Sequence, residues 1–245
     1  MSSTTGGTID GVKFKDEDIL KYDTVSDTWS LYFDGSDVGL TTDVNAFSIM
    51  DDGSILFSIN STTNLSIGTV QDEDIIKFVP TSLGSDTSGS FEWYFDGSDV
   101  GLDSSGEDID AIGFTDDGTL VVSTLGGFNA GGVSGKDEDL WTFTATSLGS
   151  DTSGSWAQYF DGSDVGLSDS GYEDVYGTWI AANGDIYLTT RGGFVVSGVS
   201  GDGSDIFTCT PDSLGEDTSC TYSAYWDGSA HDFGREIVDG IFIER

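Results

Sequence analysis

An eight-residue phrase, FDGSDVGL, stands at 33–40, 95–102 and 160–167, and a degenerate copy, Trp226-Asp227-Gly228-Ser229-Ala230-His231-Asp232-Phe233, closes the series. Two more phrases keep step with it. DEDI or DEDL occupies 16–19, 72–75 and 137–140, with Gly203-Ser204-Asp205-Ile206 as the fourth version. TSLGSDTSGS occupies 81–90 and 146–155, matched by residues 212–221. The unit is therefore about 65 residues long and is used four times, a period that points to a propeller or another β array.

One unit resolves into four strands. In the third repeat the first strand is Asp108-Ile109-Asp110-Ala111-Ile112-Gly113-Phe114, and Asp116-Asp117-Gly118 supplies a hairpin turn of the Asp-Gly type. Leu120-Val121-Val122-Ser123 is the second strand, residues 126–135 a glycine-rich loop, and Asp139-Leu140-Trp141-Thr142-Phe143 the third strand. TSLGSDTSGS makes the next hairpin, and Trp156-Ala157-Gln158-Tyr159-Phe160 is the fourth strand. β-Branched and aromatic residues fill the strands, while Gly, Ser and Asp fill the gaps.

The expected fold is all-β: a four-bladed β-propeller from four repeats, forming a single domain over 1–245. Its blades would be 236–245 plus 1–40, then 43–102, 108–167 and 174–233. The stretch Glu236-Ile237-Val238-Asp239-Gly240-Ile241-Phe242 resembles a first strand, so it would join the N-terminal strands, close the ring and remove exposed edges. Residues 1–9 would have to supply the second strand of that shared blade. An open array, or a two-chain ring of eight blades, satisfies the same repeats.

Charge narrows the partners. Eight Lys and Arg face 44 Asp and Glu, a formal −36, and a compact domain so charged repels itself unless cations or a salty medium relieve it. Nucleic acid and anionic membrane surfaces are excluded as partners, because both need clustered Lys and Arg. With 36% hydrophobic and 12% aromatic residues the chain is no disordered acidic tail. No apolar run reaches the roughly 18 residues of a membrane span. Residues 1–5 carry no apolar leader, so an exported parent would have its leader outside this sequence.

Propeller strands alternate in direction, which would put the FDGSDVGL and DED loops on one face and the DDG and TSLGSDTSGS hairpins on the other. The candidate cation ligands are Asp34, Asp37, Asp96, Asp99, Asp161 and Asp164 from the first phrase, Asp72, Asp74, Asp137 and Asp139 from the second, and Asp108 and Asp174 from the starts of first strands. Gathered carboxylates repel one another unless neutralised. Calcium, the expected cofactor, takes six to eight oxygen ligands in flexible geometry, and no Cys or His set suits zinc. Plain turn chemistry is the competing reading, since Asp-Gly pairs form turns without any ion. No segment matches an EF-hand or a nonapeptide calcium repeat.

Trp93, Trp141, Trp156 and Trp179 fall inside strands, where packing between blades is their expected role. His231, the single histidine, lies in the degenerate fourth phrase near Trp226 and Arg235, where either a unique site or drift of the terminal repeat accounts for the departures. Cys209 and Cys220 align with Phe143 and Gly154 and flank the third-to-fourth-strand hairpin, so a disulfide and an oxidising compartment are expected. The sequons Asn60-Ser61-Thr62 and Asn64-Leu65-Ser66 agree with secretion.

FDGSDVGL followed by a stretch such as Glu107-Asp108-Ile109-Asp110-Ala111 resembles, over nearly the whole chain, the tandem repeats of uncharacterised bacterial extracellular proteins, which implies no activity. Asp110-Ala111 and Asn45-Ala46 are also loosely similar to the Asp-Ala step of hemopexin-type four-bladed propellers, from which Tyr176-Gly177 and Asp239-Gly240 depart. That likeness implies an architecture in which inner-strand carbonyls hold ions in a central channel.

The expected function is a non-enzymatic, extracellular or cell-surface calcium-binding module with an adhesion, surface-assembly or structural role. Its partners would be calcium ions, and a surface glycan, a protein or a second copy of the chain. A lectin-like sugar binder is the alternative, and a carboxylate-based glycosidase or lyase a further one. Near-identical acidic loops do not offer the differentiated pair of carboxylates such an enzyme needs. No GxSxG, phosphate loop or nucleotide fingerprint is present.

Overall fold

Short runs of Val, Ile and aromatic residues, cut by Gly and Asp, leave the chain little choice but strands and tight turns. The computed structural model describes residues 1–168 and 171–244. The all-β expectation holds: among these residues the only helical pieces are the 3-10 turns Ser36–Val38, Ser98–Val100, Ser163–Val165 and Gly228–His231.

Three four-stranded antiparallel sheets repeat one order, each pairing its strands in chain sequence. The first full sheet comprises Val44–Ile49, Ile55–Ile59, Ile75–Ser82 and Ser88–Phe95, and the second Ile109–Phe114, Leu120–Thr124, Leu140–Ser147 and Ser153–Phe160. The third comprises Val175–Ile180, Ile186–Thr190, Ile206–Ser213 and Ser219–Trp226. A split sheet pairs Ile19–Asp23 with Thr28–Phe33. Each sheet keeps its own ladder, and among the described residues no ladder runs continuously from sheet to sheet.

The loop between second and third strands folds a small hairpin of its own. Thr63–Leu65 pairs with Gly68–Val70, Asn129–Ala130 with Val133–Ser134, and Phe194–Val196 with Val199–Gly201; Gly7–Ile9 with Val12–Phe14 is the counterpart beside the split sheet. The glycine-rich loop at 126–135 thus carries two strands that its composition concealed. Gly131 and Gly132, at φ +60° and +87°, make the turn between them.

Burial follows position. The first and second strands are buried on both faces, as in Ile55–Ile59 and Leu120–Thr124, whereas the fourth strands alternate or lie exposed. The first strands lean on one another. Asn45 Nδ2 donates to Ile109 O (2.9 Å), and a Cβ on Gly113 would lie 3.0 Å from Thr178 Cγ2. A Cβ on Gly177 would lie 3.1 Å from Asp239 O, and one on Gly240 2.7 Å from the Phe47 ring. Residues 237–240 therefore sit between the first strands of the third and first full sheets.

Residues 1–4 run alongside: Ser2 N–H donates to Gly240 O (3.1 Å), Thr4 N–H to Ile237 O (3.2 Å), and Leu20 N–H to Met1 O (2.8 Å). The second and third full sheets differ where Phe143 packs in the core. Gly154 lies under the Phe143 ring, where a Cβ would collide, and the Cys209–Cys220 disulfide, Cα–Cα 5.4 Å, takes that place in the third.

Candidate functional site

The paired aspartates of FDGSDVGL bind sheets together. Asp99 Oδ2 accepts Thr152 N–H (2.9 Å), Thr152 Oγ1 accepts Asp96 N–H (2.9 Å), and the Thr152 hydroxyl donates to Gly149 O (2.8 Å). The same three bonds join Asp37, Asp34 and Thr87, at 2.9, 3.0 and 2.7 Å. Asp164, Asp161 and Thr218 repeat them at 3.0, 2.9 and 2.8 Å. Each threonine belongs to the TSLGSDTSGS-type hairpin of the following sheet. Gly84, Gly149 and Gly215, at φ +93°, +104° and +91°, add N–H bonds to Tyr32, Tyr94 and Tyr159 O.

These loops were expected on opposite faces, and they meet. Each sheet twists from inner to outer strand, which swings its last hairpin sideways onto the end of the preceding sheet's fourth strand. The second oxygen-bearing arm of the phrase is also engaged locally: Asp34, Asp96 and Asp161 Oδ1 accept the hydroxyls of Ser36, Ser98 and Ser163 at 2.7, 2.7 and 2.6 Å.

The last aspartate of each DED phrase is a bracket. Asp74 accepts Gln71 N–H (2.8 Å) on one oxygen and Gly97 N–H (3.1 Å) on the other; Asp139 does the same with Lys136 (2.9 Å) and Gly162 (3.0 Å). The glycine is required, because a Cβ on the equivalent Gly35 would lie 2.5 Å from Glu17 O. Burial outweighs the two N–H donors and lifts Asp74 and Asp139 to about 6. Asp72 and Asp137 serve through their backbone: Asp72 O accepts Ile109 N–H (3.1 Å) and Asp137 O accepts Val175 N–H (3.2 Å). Asp108 is raised to about 6 by burial, then by Asp72. Among the described residues no three His, Cys, Asp or Glu side chains converge closely enough to form a ready metal cage.

A different set of carboxylates stands where the first strands face one another. Asp110, Asp174 and Asp239 are fully buried, and none of their six oxygens has a hydrogen-bond partner. Asp43 Oδ1, Asp137 Oδ1 and Glu138 Oε2 are buried and unpartnered as well. Burial drives the Asp110 carboxyl well above the carboxylate range, and Asp174 beside it adds to the effect. Asp174 is pushed to about 8 by burial and then Asp137, with Arg191 pulling the other way. Burial and then Asp137 bring Glu138 to about 8, and burial and then Asp16 bring Asp43 to about 7. Asp239 is raised strongly by burial, then by Asp43, with the Ser2 hydroxyl and the Met1 ammonium pulling the other way.

Of the twelve candidate ligands, then, Asp137 and Asp174 border this inner group. The loop aspartates of FDGSDVGL, with Asp74 and Asp139, hold backbone and hydroxyl donors instead. Asp110, Asp239, Asp43 and Glu138 were not among the candidates. Asp110 alone carried a signal, in Ile109-Asp110-Ala111, where one acid interrupts a strand otherwise apolar throughout.

The fourth phrase meets the split sheet differently. Ala230 replaces the seam aspartate, and Trp29 Nε1 donates to His231 O (3.2 Å), as Trp156 Nε1 does to Val100 O (3.1 Å) at an earlier seam. His231 Nδ1 lies 2.7 Å from Tyr22 Oη, and its ring stacks on Trp226 with centroids 5.5 Å apart.

No protein-family model matches the chain, and no curated protein does. Among solved structures, virginiamycin B lyase from Staphylococcus aureus is similar at 11% identity and TM-score 0.36, over 91% of this chain and 72% of the lyase. The extracellular domain of a one-component-system protein from B. thetaiotaomicron is similar at 12% identity and TM-score 0.31, over 90% of this chain and 40% of the other. Neither likeness carries a function to this chain. Among the described residues no helix is long and apolar enough to cross a membrane.

Proposed function

We propose that this chain is a closed four-bladed propeller whose axial carboxylates hold a divalent cation, calcium above all, and that it works outside the cell as a non-enzymatic adhesion or assembly module. One observation carries the cation: the six carboxylate oxygens of Asp110, Asp174 and Asp239 are buried with no hydrogen bond of ordinary geometry, Asp110 and Asp174 having each other beside them and Asp239 the Ser2 hydroxyl and the Met1 ammonium. Such groups must either keep protons or meet a positive charge. The donor set is all oxygen, which suits a hard cation. Pairs of these carboxylates, with backbone carbonyls and waters, would complete a shell that no three side chains form alone. Asp110 and Asp174 would be the main holders, with Asp239 and Asp43 as a second pair.

Closure is supported by the contacts of residues 237–240 with both flanking first strands and by the Trp29–His231 bond, which repeats an earlier seam. The disulfide and the heavy negative charge favour an oxidising, cation-rich medium. An adhesion or assembly role is supported by a seam repeated three times rather than by any one differentiated cleft.

The test is calcium titration by calorimetry on EDTA-stripped protein at constant ionic strength, with sedimentation to fix the mass. The proposal expects stoichiometric calcium, one or two ions on a monomer, and loss of a site in Asp110→Asn. Absence of stoichiometric binding overturns the cation reading, and a two-chain species overturns the closed ring.

A further inference from the structure

The fourth strands share a register position that changes from sheet to sheet. Leu31 opposite Leu20, Trp93 opposite Ile76, Gln158 opposite Trp141 and Ala224 opposite Phe207 are equivalent. In the first full sheet Trp93 reaches across to the small hairpin, with Nε1 donating to Ile67 O (3.4 Å). In the second, Trp141 is buried and stacks on Phe128 with centroids 4.3 Å apart. In the third, Phe207 stands for Trp141 and Ala224 for Gln158, and the space they vacate is a groove of about 220 Å³. The exposed Tyr225 and the half-buried Trp226 line it above the buried Phe194 and Phe207, together with Asp205 and Asp227.

We propose that this groove binds an alkylammonium group, either the head of a small quaternary amine or a lysine side chain offered by a partner protein. Aromatic faces attract cations through the ring quadrupole, most strongly when the cation is partly desolvated. The two carboxylates supply the charge, and Asp227 keeps one oxygen free of hydrogen bonds. Asp205 already takes the N–H groups of Asp202 (3.0 Å) and Gly228 (3.1 Å), and Asp227 Oδ1 takes Ser229 Oγ (2.7 Å) and Ala230 N–H (3.2 Å). A sugar would have Asp227 Oδ2 as its open acceptor, whereas an ammonium group responds to the summed field of both carboxylates. A formal charge of −36 draws cations to every acidic concavity and repels anions. The aromatic walls make this one selective for a cation that carries alkyl groups. The groove uses none of the axial carboxylates, so it stands independently of the calcium reading.

The experiment titrates the full chain with choline, following Trp fluorescence, in millimolar calcium and at fixed ionic strength. The neutral isostere 3,3-dimethylbutan-1-ol, Nα-acetyl-lysine methylamide and glucose are run in parallel. The proposal expects choline or the lysine amide to bind at least about tenfold tighter than the isostere. Which of the two binds more tightly assigns the source. Ala224→Trp, which fills the groove as Trp93 fills its counterpart, should weaken that binding at least about tenfold while the unfolding midpoint stays put. Ala224→Gln, the residue of the second full sheet, is the companion variant should the indole disturb folding. Neither choline nor the lysine amide binding more tightly than the isostere, glucose binding without ammonium binding, or undiminished binding in both variants overturns the proposal.

Discussion

Thr152→Val isolates the seam between the first and second full sheets. Thr152 is 4% exposed, and valine keeps its branched shape while removing the hydroxyl. Two bonds go with it: the one that accepts Asp96 N–H (2.9 Å) and the one donated to Gly149 O (2.8 Å). The bond from Thr152 N–H to Asp99 Oδ2 survives, so the backbone remains anchored. A net hydrogen bond contributes about 1 kcal/mol, and an amide left without its acceptor costs about 1–3 kcal/mol. The expected loss is about 2–3 kcal/mol, which for a domain of this length lowers the thermal midpoint by roughly 4–12 °C. Thr152→Ser, which keeps the hydroxyl, should retain most of the stability. Asp99→Asn weakens the charge-assisted half of the clasp, and combining it with Thr152→Val should cost less than the sum, because both act on one seam. Differential scanning calorimetry on the four variants and the parent decides. A Thr152→Val midpoint within about 1 °C of the parent, or a serine variant damaged equally, refutes the clasp.

Other consequences follow from the same contacts. Asp43 at about 7, with Glu138 and Asp174 at about 8, hold protons in the fold where unfolded carboxyls near 4 have lost them. The folded state then binds more protons, so in EDTA the stability these three groups contribute is full below about pH 4 and is lost as pH rises through 7 to 8. The midpoint in EDTA should be lower at pH 8.5 than at pH 5.5, with calcium narrowing the gap because it needs deprotonated ligands; a midpoint that climbs with pH in EDTA rules this out. Reducing Cys209–Cys220, 11 residues apart, should cost about 3 kcal/mol in a denaturant titration. Cys209→Phe with Cys220→Gly, the pair found at Phe143 and Gly154, should fold without the bridge and ignore reductant.

Much of this molecule is readable from its repeats. The strands of the third unit lie where the alternation of Ile109, Ala111, Val121 and Trp141 with turn residues puts them, because burial on both faces selects those residue types. The small hairpins were hidden, since Asn129-Ala130 and Val133-Ser134 are too short and polar to show a period. The role of Asp37, Asp99 and Asp164 was hidden for another reason. Strand polarity places loops on faces, but only the accumulated twist brings one sheet's hairpin to its neighbour. The inner carboxylates were the subtlest: Asp110 and Asp239 look like ordinary acids in an acidic chain, and what sets them apart is complete burial with no hydrogen bond of ordinary geometry.

The central claim, that the axial carboxylates hold a divalent cation, is tested most directly by thermal unfolding in EDTA, in millimolar calcium and in sodium chloride of matched ionic strength, for the parent and for Asp110→Asn with Asp174→Asn. An ion at about 100 times its dissociation constant adds roughly 2.7 kcal/mol. The account predicts that calcium raises the parent's midpoint well beyond the salt control and does little for the variant. It also predicts that in EDTA the variant unfolds no earlier than the parent, since two buried acids have been removed. A calcium effect no larger than that of salt, or one that survives intact in the variant, contradicts it.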